Sequence, residues 1–493
     1  MQSSSHNEVV IAGGGPVGML IAAELALYGV RARVLETETE TSNRPKAGTL
    51  HARTVQSLAR RGYLDDLTGR SRKYGLTAQP FHFAGLSGLT ITVPEMEPPP
   101  ILKIPQSSLE RFFEERARDL GCEVLRGHRV VEARQESDRV EMVVEGPHGR
   151  RSQSADYLVG ADGARSTVRE QFGFPSEVVP ASASAMMGLV RLADPSSLPR
   201  GWHSNSRGWT VVTDNPEGQS LIRVLDLARP YPERNVPVTP EEFRAEVSRV
   251  IGHDVPMEDA RFLTRFSDFT RLAQRFRQGR VFLAGDAAHV HFPVGGQGLS
   301  TGMLDGFNLA WKLAHVVRGS SGVRLLDTYD EERQHAAQRV VANTRAQLTL
   351  MRMVGARDPL HSLFDEMLGH GQADRYLGNL VSAQETAYAP ITEHPSPIEG
   401  LFLQNLPLDA GGGPSDLIGL MREGRPLLIS GHGSTRYADE ARPWRNVVRS
   451  VEVKNSSGLP CEALLVRPDG YIGWAADGGD LKAALRAWFG AAG

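Results

Sequence analysis

Residues 8–36 read "EVVIAGGGPVGMLIAAELALYGVRARVLE", and their order decides the fold. The apolar run at 9–12 has the composition of a short buried strand. Gly13, Gly15 and Gly18 follow in GxGxxG spacing, with Pro16 and Val17 between the last two. "MLIAAELALYG" predicts a helix that stops at Gly29, a residue suited to the left-handed conformation that ends helices. "RARVLE" predicts a second strand ending on Glu36, close to the interval of about 20 residues expected for the acid of a dinucleotide-binding unit. Gly13 permits the tight turn, Gly15 lets the backbone approach a pyrophosphate, and Gly18 lets helix and strand pack closely. The helix N-terminus offers free N–H groups and partial positive charge to phosphate. Glu36 can accept hydrogen bonds from ribose hydroxyls.

A second run, "AGGGPS" at 410–415, shares five letters with the first. No third glycine stands at the required place, and the preceding "FLQNLPLDA" contains Pro407 and makes no clean strand. That run reads as a loop leading to a helix cap at Asp416.

The chain has 493 residues, 40% hydrophobic and 23% charged, which is ordinary for a soluble globular protein of about three domains. The net charge of -3, without blocks of like charge, argues against a nucleic-acid or anionic-membrane surface. Two distant cysteines argue against a disulfide framework or a zinc site. No signal peptide and no membrane-length apolar run is present, so a cytoplasmic protein is expected. His289 and His291 without a third convergent ligand read as polar groups beside a loop, and no metal is expected. Arg60 and Arg61 read as a solvated helix face. No GxSxG elbow supports a serine hydrolase.

Two further signatures follow the first. At 156–169, "DYLVGADGARSTVR" carries an apolar strand into Asp162 and Gly163, with a helix starting near Ser166. At 279–313, "GRVFLAGDAAHVHFPVGGQGLSTGMLDGFNLAWKL" carries another strand to Asp286, then a glycine-rich loop and a long helix. In that helix Met303, Phe307, Ala310, Ala314 and Val317 mark one apolar face.

Together the three motifs resemble those of the single-component FAD-dependent aromatic hydroxylases related to para-hydroxybenzoate hydroxylase. Within that family the chain is most similar to the bacterial enzymes that hydroxylate polycyclic aromatic polyketides in antibiotic biosynthesis. The resemblance implies FAD as cofactor, NADPH or NADH as a transient reductant, and O2 as co-substrate. It implies oxygen transfer from a flavin C4a-hydroperoxide to an electron-rich ring, the protein positioning the substrate and excluding water. Asp286 would bind the ribityl chain; Asp162 and Gly163 would serve the pyrophosphate and nicotinamide-cofactor use. The loop Pro293, Gly295, Gly296, Gln297, Gly298 and Leu299 would run past the flavin ring, where N–H groups and a helix N-terminus favour the anion of the reduced state. Gln106 and the basic pair Arg44 and Lys46 match cofactor-contacting positions. Lys46 stands where relatives usually carry Arg, which keeps charge but loses a bidentate contact. Ser300 replaces a usual Asn, and Gly306 a usual Ala. By family position His51, Arg53, Phe266 and Pro293 are candidates for the substrate pocket; no general base is identified. The partner expected is an aromatic small molecule, with the chain a monomer or homodimer. A Baeyer–Villiger oxygenase on the same scaffold, or a member that holds flavin and ligand without catalysis, remain the alternatives.

The expected fold is α/β. A Rossmann-type FAD-binding domain (1–75, 100–175 and 275–325) is interleaved with a mixed-sheet substrate domain (76–99 and 176–274). The strand patterns of "LTITV", "AMMGLVRLA", "WTVV" and "SLIRVLDLA" support the second. A helical segment (326–395) follows. After the Pro-rich linker "APITEHPSPIEG", a tail (396–493) with strand, strand, hairpin and helix is expected to be thioredoxin-like, without dithiol chemistry because it lacks CxxC.

Overall fold

The computed structural model describes residues 6–69, 75–214, 218–227, 236–353, 359–411, 414–454 and 458–491. The strand His6–Ala12 lies inside an eight-stranded sheet. It pairs in parallel with Ala32–Glu36 on one side and Gly149–Gly160 on the other. Parallel neighbours Glu123–Arg126 and Val281–Leu283 extend the two flanks. Val9, Val10 and Ile11 are fully buried, as a parallel strand covered on both faces requires. The register pairs Ala12 with Gly160 and Gly160 with Leu283. Parallel strands deliver their C-terminal ends to one rim. The glycine turn, Asp162 and Asp286 therefore meet there, although they are far apart in sequence.

The helix Pro16–Leu27 follows the first strand, and Gly29 takes φ +71° just beyond it. Against it packs the helix Gly298–Val317, through positions that admit almost no side chain. A Cβ on Gly302 would stand 2.8 Å from Val17, and one on Gly306 3.2 Å from Leu20 and Ile21. The expected single apolar face is too narrow a description: every residue from Ser300 to Ala314, and His315 after it, is buried. The helix runs through the interior, so its polar residues Asp305, Asn308 and Lys312 meet buried partners instead of water.

A five-stranded antiparallel sheet covers one side, in the order Gly201–Asn205, Gly208–Asp214, Ser220–Asp226, Ser184–Leu192, Met257–Ser267. Its outer face takes the helix Pro240–Ile251, through Phe243 and Val247 packed with Ile222 and Val224. Its inner face carries Ala185, Trp209 and Leu225, which cluster with the hairpin strands Ala78–Phe83 and Leu86–Thr92. Helices Asp327–Arg352, Pro359–Met367 and Gly371–Val381 complete the body.

The tail forms a four-stranded sheet. Leu427–Gly431 is parallel to Arg449–Val453 and antiparallel to Ala463–Val466, which pairs with Ile472–Ala475. Buried charges join it to the body. Arg467 binds Glu332 at 2.7 Å and Asp469 at 2.6 Å, and Lys312 reaches Glu332 at 2.8 Å. The segment 389–400 has no helix or strand but is not a free linker: Ser396 and Glu399 are buried.

Arg60 and Arg61 do not lie on a solvated face. Both are buried, Arg60 bound to Glu97 at 2.8 Å and Arg61 to Glu24 at 2.9 Å. Such charges tolerate burial only when paired and hydrogen-bonded. In the second glycine run, Gly412 and Gly413 lie outside the described residues; Asp416 caps the following turn by accepting from the Gly419 N–H at 2.9 Å. Cys122 and Cys461 are both free thiols. Among the described residues no helix is long and apolar enough to cross a membrane.

Candidate active site

The three glycines of the first turn differ in their surroundings. Gly13 adopts φ +103°, and a Cβ there would stand 2.3 Å from the Ala161 carbonyl oxygen. A Cβ on Gly18 would stand 2.0 Å from the Gly13 oxygen, so helix and turn touch directly. A Cβ on Gly15 would meet nothing within 4 Å. That position leaves bare backbone facing open space at a helix N-terminus, a cradle for phosphate. Pro16 opens the helix, and Val17 packs beneath the Asp286 turn, 3.2 Å from the site of a Gly285 Cβ. Glu36 also braces the turn at whose mouth it stands. Its carboxylate accepts from the Gly14 N–H at 2.6 Å and the Glu38 N–H at 2.7 Å.

Asp162 Oδ2 accepts from the Val168 N–H at 3.1 Å, while its Oδ1 is buried without a hydrogen-bond partner among the described residues. Burial raises its pKa. Gly163 beside it has φ +79° with open space where a side chain would go. Arg169 Nη1 donates to the Ala287 carbonyl at 3.0 Å and clamps this loop to the Asp286 turn. Asp286 is open to solvent yet surrounded by protein, and desolvation raises its pKa while His289 and Lys46 oppose it. A carboxylate that is accessible but desolvated lies in a cleft. Lys46 and Arg44 are exposed on the same segment, and the Gln106 N–H donates to Ala47 at 3.1 Å. The Gln106 amide itself binds Glu110 at 2.8 Å.

The loop from Pro293 turns sharply, with Gly295 at φ +74° and Gly296 at φ +62°. Gln297 Oε1 accepts from Asn343 at 3.0 Å, Gly298 begins the buried helix and Leu299 packs partly against the main core. His51 Nε2 donates to the Gly295 carbonyl at 2.7 Å, and the His51 N–H donates to Ser300 Oγ at 3.0 Å. The hydroxyl at position 300 thus ties strand Thr49–His51 to the loop. Burial pushes the His51 pKa down to about 4, so the ring is neutral at physiological pH. Phe266 stacks on Phe292, with ring centroids 6.0 Å apart, next to Pro293. These residues fit an FAD: the open glycine backbone, the unpartnered Asp162 oxygen and the Asp286 cleft lie along one rim.

Arg53 is not brought to this site. Its guanidinium lies over the Phe402 ring at 3.6 Å and donates to Gln56 and to the Gln384 carbonyl. Its partners come from the tail and the helical segment, which its sequence neighbours do not reveal. Asp305, which no sequence motif singles out, is central. Fully buried, it accepts from the Gly285 N–H at 3.0 Å, pairs with His289 at 2.8 Å and with Arg333 at 2.8 Å. Burial alone would raise its pKa, but Arg333 and His289 outweigh it and the net shift is downward. A lone acid inside an apolar helix, "GMLDGF", is the signal the sequence offers. An apolar cavity of about 540 Å³ also lies near the loop, lined by Phe83, Asn343, Leu350, Phe364 and Leu380; its Asn343 is the residue that binds Gln297.

Residues 6–344 match the family model described as FAD binding domain, and residues 396–492 match aromatic-ring hydroxylase, C-terminal. A 12-dehydrotetracycline 5-monooxygenase/anhydrotetracycline 6-monooxygenase from Streptomyces rimosus is 37% identical, covering 98% of this chain and 99% of its own. The solved structure of an anhydrotetracycline hydroxylase from Streptomyces rimosus superposes with a TM-score of 0.89 at 35% identity, covering 99% of this chain and 100% of that one. A dialkyldecalin synthase from Streptomyces rugosporus is 34% identical over 98% of this chain and 99% of its own. The chain belongs to the FAD-binding aromatic-ring hydroxylases, the flavin-dependent monooxygenases.

Proposed function

We propose that this protein consumes NADPH or NADH and O2 to hydroxylate a polycyclic phenolic substrate of the polyketide type. The observation that carries the reading is the rim itself: the strands leading to Gly15, Asp162 and Asp286 are successive neighbours in one sheet, and their C-terminal ends bring these residues to one edge. Bound FAD supplies the redox and oxygen-transfer chemistry. The chain's own residues do the rest. The turn after Ala12 and Asp286 hold the dinucleotide. The start of the helix Gly298–Val317 would favour negative charge on a flavin bound beside it. His51 holds the loop through Gly295, and Phe266 and Phe292 offer an apolar wall. The relatives named for tetracycline oxygenation support a fused-ring phenol as substrate.

In this reading residues 1–75, 100–175 and 275–325 form the FAD-binding unit, and 76–99 with 176–274 cover the substrate. The helices of 326–395 support both. The tail's strand order and connections support a thioredoxin-like unit with a structural or oligomerising role.

The dialkyldecalin synthase supports a second reading, in which a flavin-loaded site shapes a ligand without oxygenating it. Following NADPH and NADH oxidation by the FAD-loaded chain, with and without polycyclic phenols, separates the two. Hydroxylation requires substrate-stimulated oxidation and a hydroxylated ring in the product NMR spectrum. A ring-expanded or ester skeleton would instead indicate Baeyer–Villiger chemistry, and ligand binding without reductant consumption would favour the second reading.

A further inference from the structure

One helix touches the loop from Pro293, the hairpin and the five-stranded sheet in turn. Positions 343, 347 and 351 of Asp327–Arg352 are four apart, so they lie one above another on one face. The Asn343 amide donates to Gln297 Oε1 at 3.0 Å, on the loop. Gln347 Oε1 accepts from the Ala84 N–H at 3.0 Å, at the turn of the hairpin. The Met351 carbonyl accepts from Trp209 Nε1 at 2.8 Å, on the sheet. Between the first two contacts, Gln347 Nε2 donates to Asn343 Oδ1 over a long 3.4 Å. Gln297, Asn343, Gln347 and Ala84 are all buried.

The sense of this chain is fixed at one end. A backbone N–H can only donate, so Ala84 decides which atom of the Gln347 amide is its oxygen. The Gln347 nitrogen must then face Asn343 Oδ1, and the Asn343 nitrogen must face Gln297 Oε1. The side-chain amides therefore run head to tail from the hairpin turn to the loop, in an interior where such bonds reinforce one another.

Both ends hold uncommon backbone, which persists only where its surroundings enforce it. Ala84 takes φ +54°, a left-handed conformation disfavoured by its Cβ, and Gly85 after it takes φ +84°. A Cβ on Gly85 would stand 2.4 Å from the Trp209 ring, so the turn is wedged against the sheet. On the loop, a Cβ on Gly295 would stand 3.0 Å from Gln297 Nε2 and 3.2 Å from Gln347 Nε2. His51 holds Gly295 as well, through its carbonyl oxygen at 2.7 Å, and meets Phe81 of the hairpin edge-on at 5.1 Å. The hairpin thus reaches Gly295 both through Gln347 and through His51.

We propose that Asn343 and Gln347 are positioning residues for the flavin: acting through Gln297, they fix the loop from Pro293 at one distance from the hairpin turn at Ala84 and Gly85, and so set where the loop meets the ring system of bound FAD. The proposal rests on the reading above that the flavin ring lies along this loop. It is separable from packing, because an apolar side chain of similar size fills the same space without directing the Gln297 amide.

The test uses the FAD-loaded chain without substrate or reductant. Visible circular dichroism of the flavin reads the surroundings of the ring, FAD titration reads affinity, and thermal melts read stability. Asn343→Leu and Gln347→Met should each change the flavin dichroism and weaken FAD binding about tenfold. Thr344→Val is the control: Thr344 is buried on the same helix, and its hydroxyl donates within it, to the Val341 carbonyl at 3.1 Å. It should lower the melting temperature and leave dichroism and FAD affinity unchanged. Asn343→Asp still accepts from Gln347 but, when ionised, cannot donate to Gln297; it should change the dichroism too, and carries the test if the apolar variants fail to fold. Gly296→Ala disturbs the loop directly, at φ +62°, and should also change the signal. Unchanged dichroism and affinity in the Asn343 and Gln347 variants overturns the proposal. If Gly296→Ala then still changes the signal, the reading of the ring beside the loop stands; if it too is silent, that reading falls as well. Effects of equal size in Thr344→Val would mean that helix stability moves the flavin, and overturn the proposal also.

Discussion

Asp305 accepts the Gly285 N–H at 3.0 Å, and so joins the buried helix to the turn that presents Asp286. The same carboxylate binds His289 and Arg333. One side chain therefore sets the separation between the Asp286 turn and the helix whose N-terminus follows the loop from Pro293. Asp305→Asn should remove the charge that Arg333 needs and destabilise the chain by about 3–5 kcal/mol. Thermal melts and the FAD content of purified protein check it; a variant that keeps both its melting temperature and its flavin would contradict this role.

The first turn separates packing from binding. Gly18→Ala should disrupt the fold, since its Cβ would overlap the Gly13 carbonyl at 2.0 Å. Gly15→Ala should leave stability within about 1 kcal/mol, because φ there is an ordinary −69° and the space is open. It should nevertheless weaken FAD binding if the pyrophosphate lies against Gly15 as proposed, since the methyl would fill that open space. Chemical denaturation of the flavin-free chain, beside FAD titration, reads the two effects separately.

Acid should destabilise the protein through its buried histidines. His51, His82, His291 and His315 all have pKa values lowered to about 4, chiefly by burial. Below the ordinary value of about 6.5 the unfolded chain binds protons that the folded one refuses, so their stabilising effect is intact above that pH and is lost as pH falls towards about 4. The slope is about 1.4 kcal/mol per pH unit for each histidine within that window. Urea midpoints measured across the window should fall with acid; a flat profile would show that the rings are accessible.

Arg467 fastens the tail to the body through Glu332, and pairs with Asp469 within the tail. Arg467→Met should leave two carboxylates and Lys312 in an unbalanced buried cluster and cost about 3 kcal/mol or more. Limited proteolysis should then release the tail faster. Unchanged cleavage would mean that the apolar contact of Trp311 with Trp488 suffices.

What the sequence makes legible is local. The glycine turn, Asp162 and Asp286 each follow an apolar strand within a few residues, so their places at strand ends can be read locally. The sheet that aligns them can only be inferred from the family pattern. Arg60 and Arg61 look solvated in the sequence because Glu97 and Glu24 lie far from them along the chain. Family position puts Arg53 in the pocket, whereas its partner Phe402 comes from the tail.

Oxygen insertion by this chain is the step on which the functional reading stands or falls. Incubation of the FAD-loaded protein with a polycyclic phenol, NADPH and 18O-labelled O2, followed by mass spectrometry and NMR of the product, reads that step. A single labelled oxygen on an aromatic ring carbon is expected, formed only when reductant and flavin are both present. Unlabelled product, or NADPH consumed with all the oxygen recovered as peroxide across the phenols tested, would refute it.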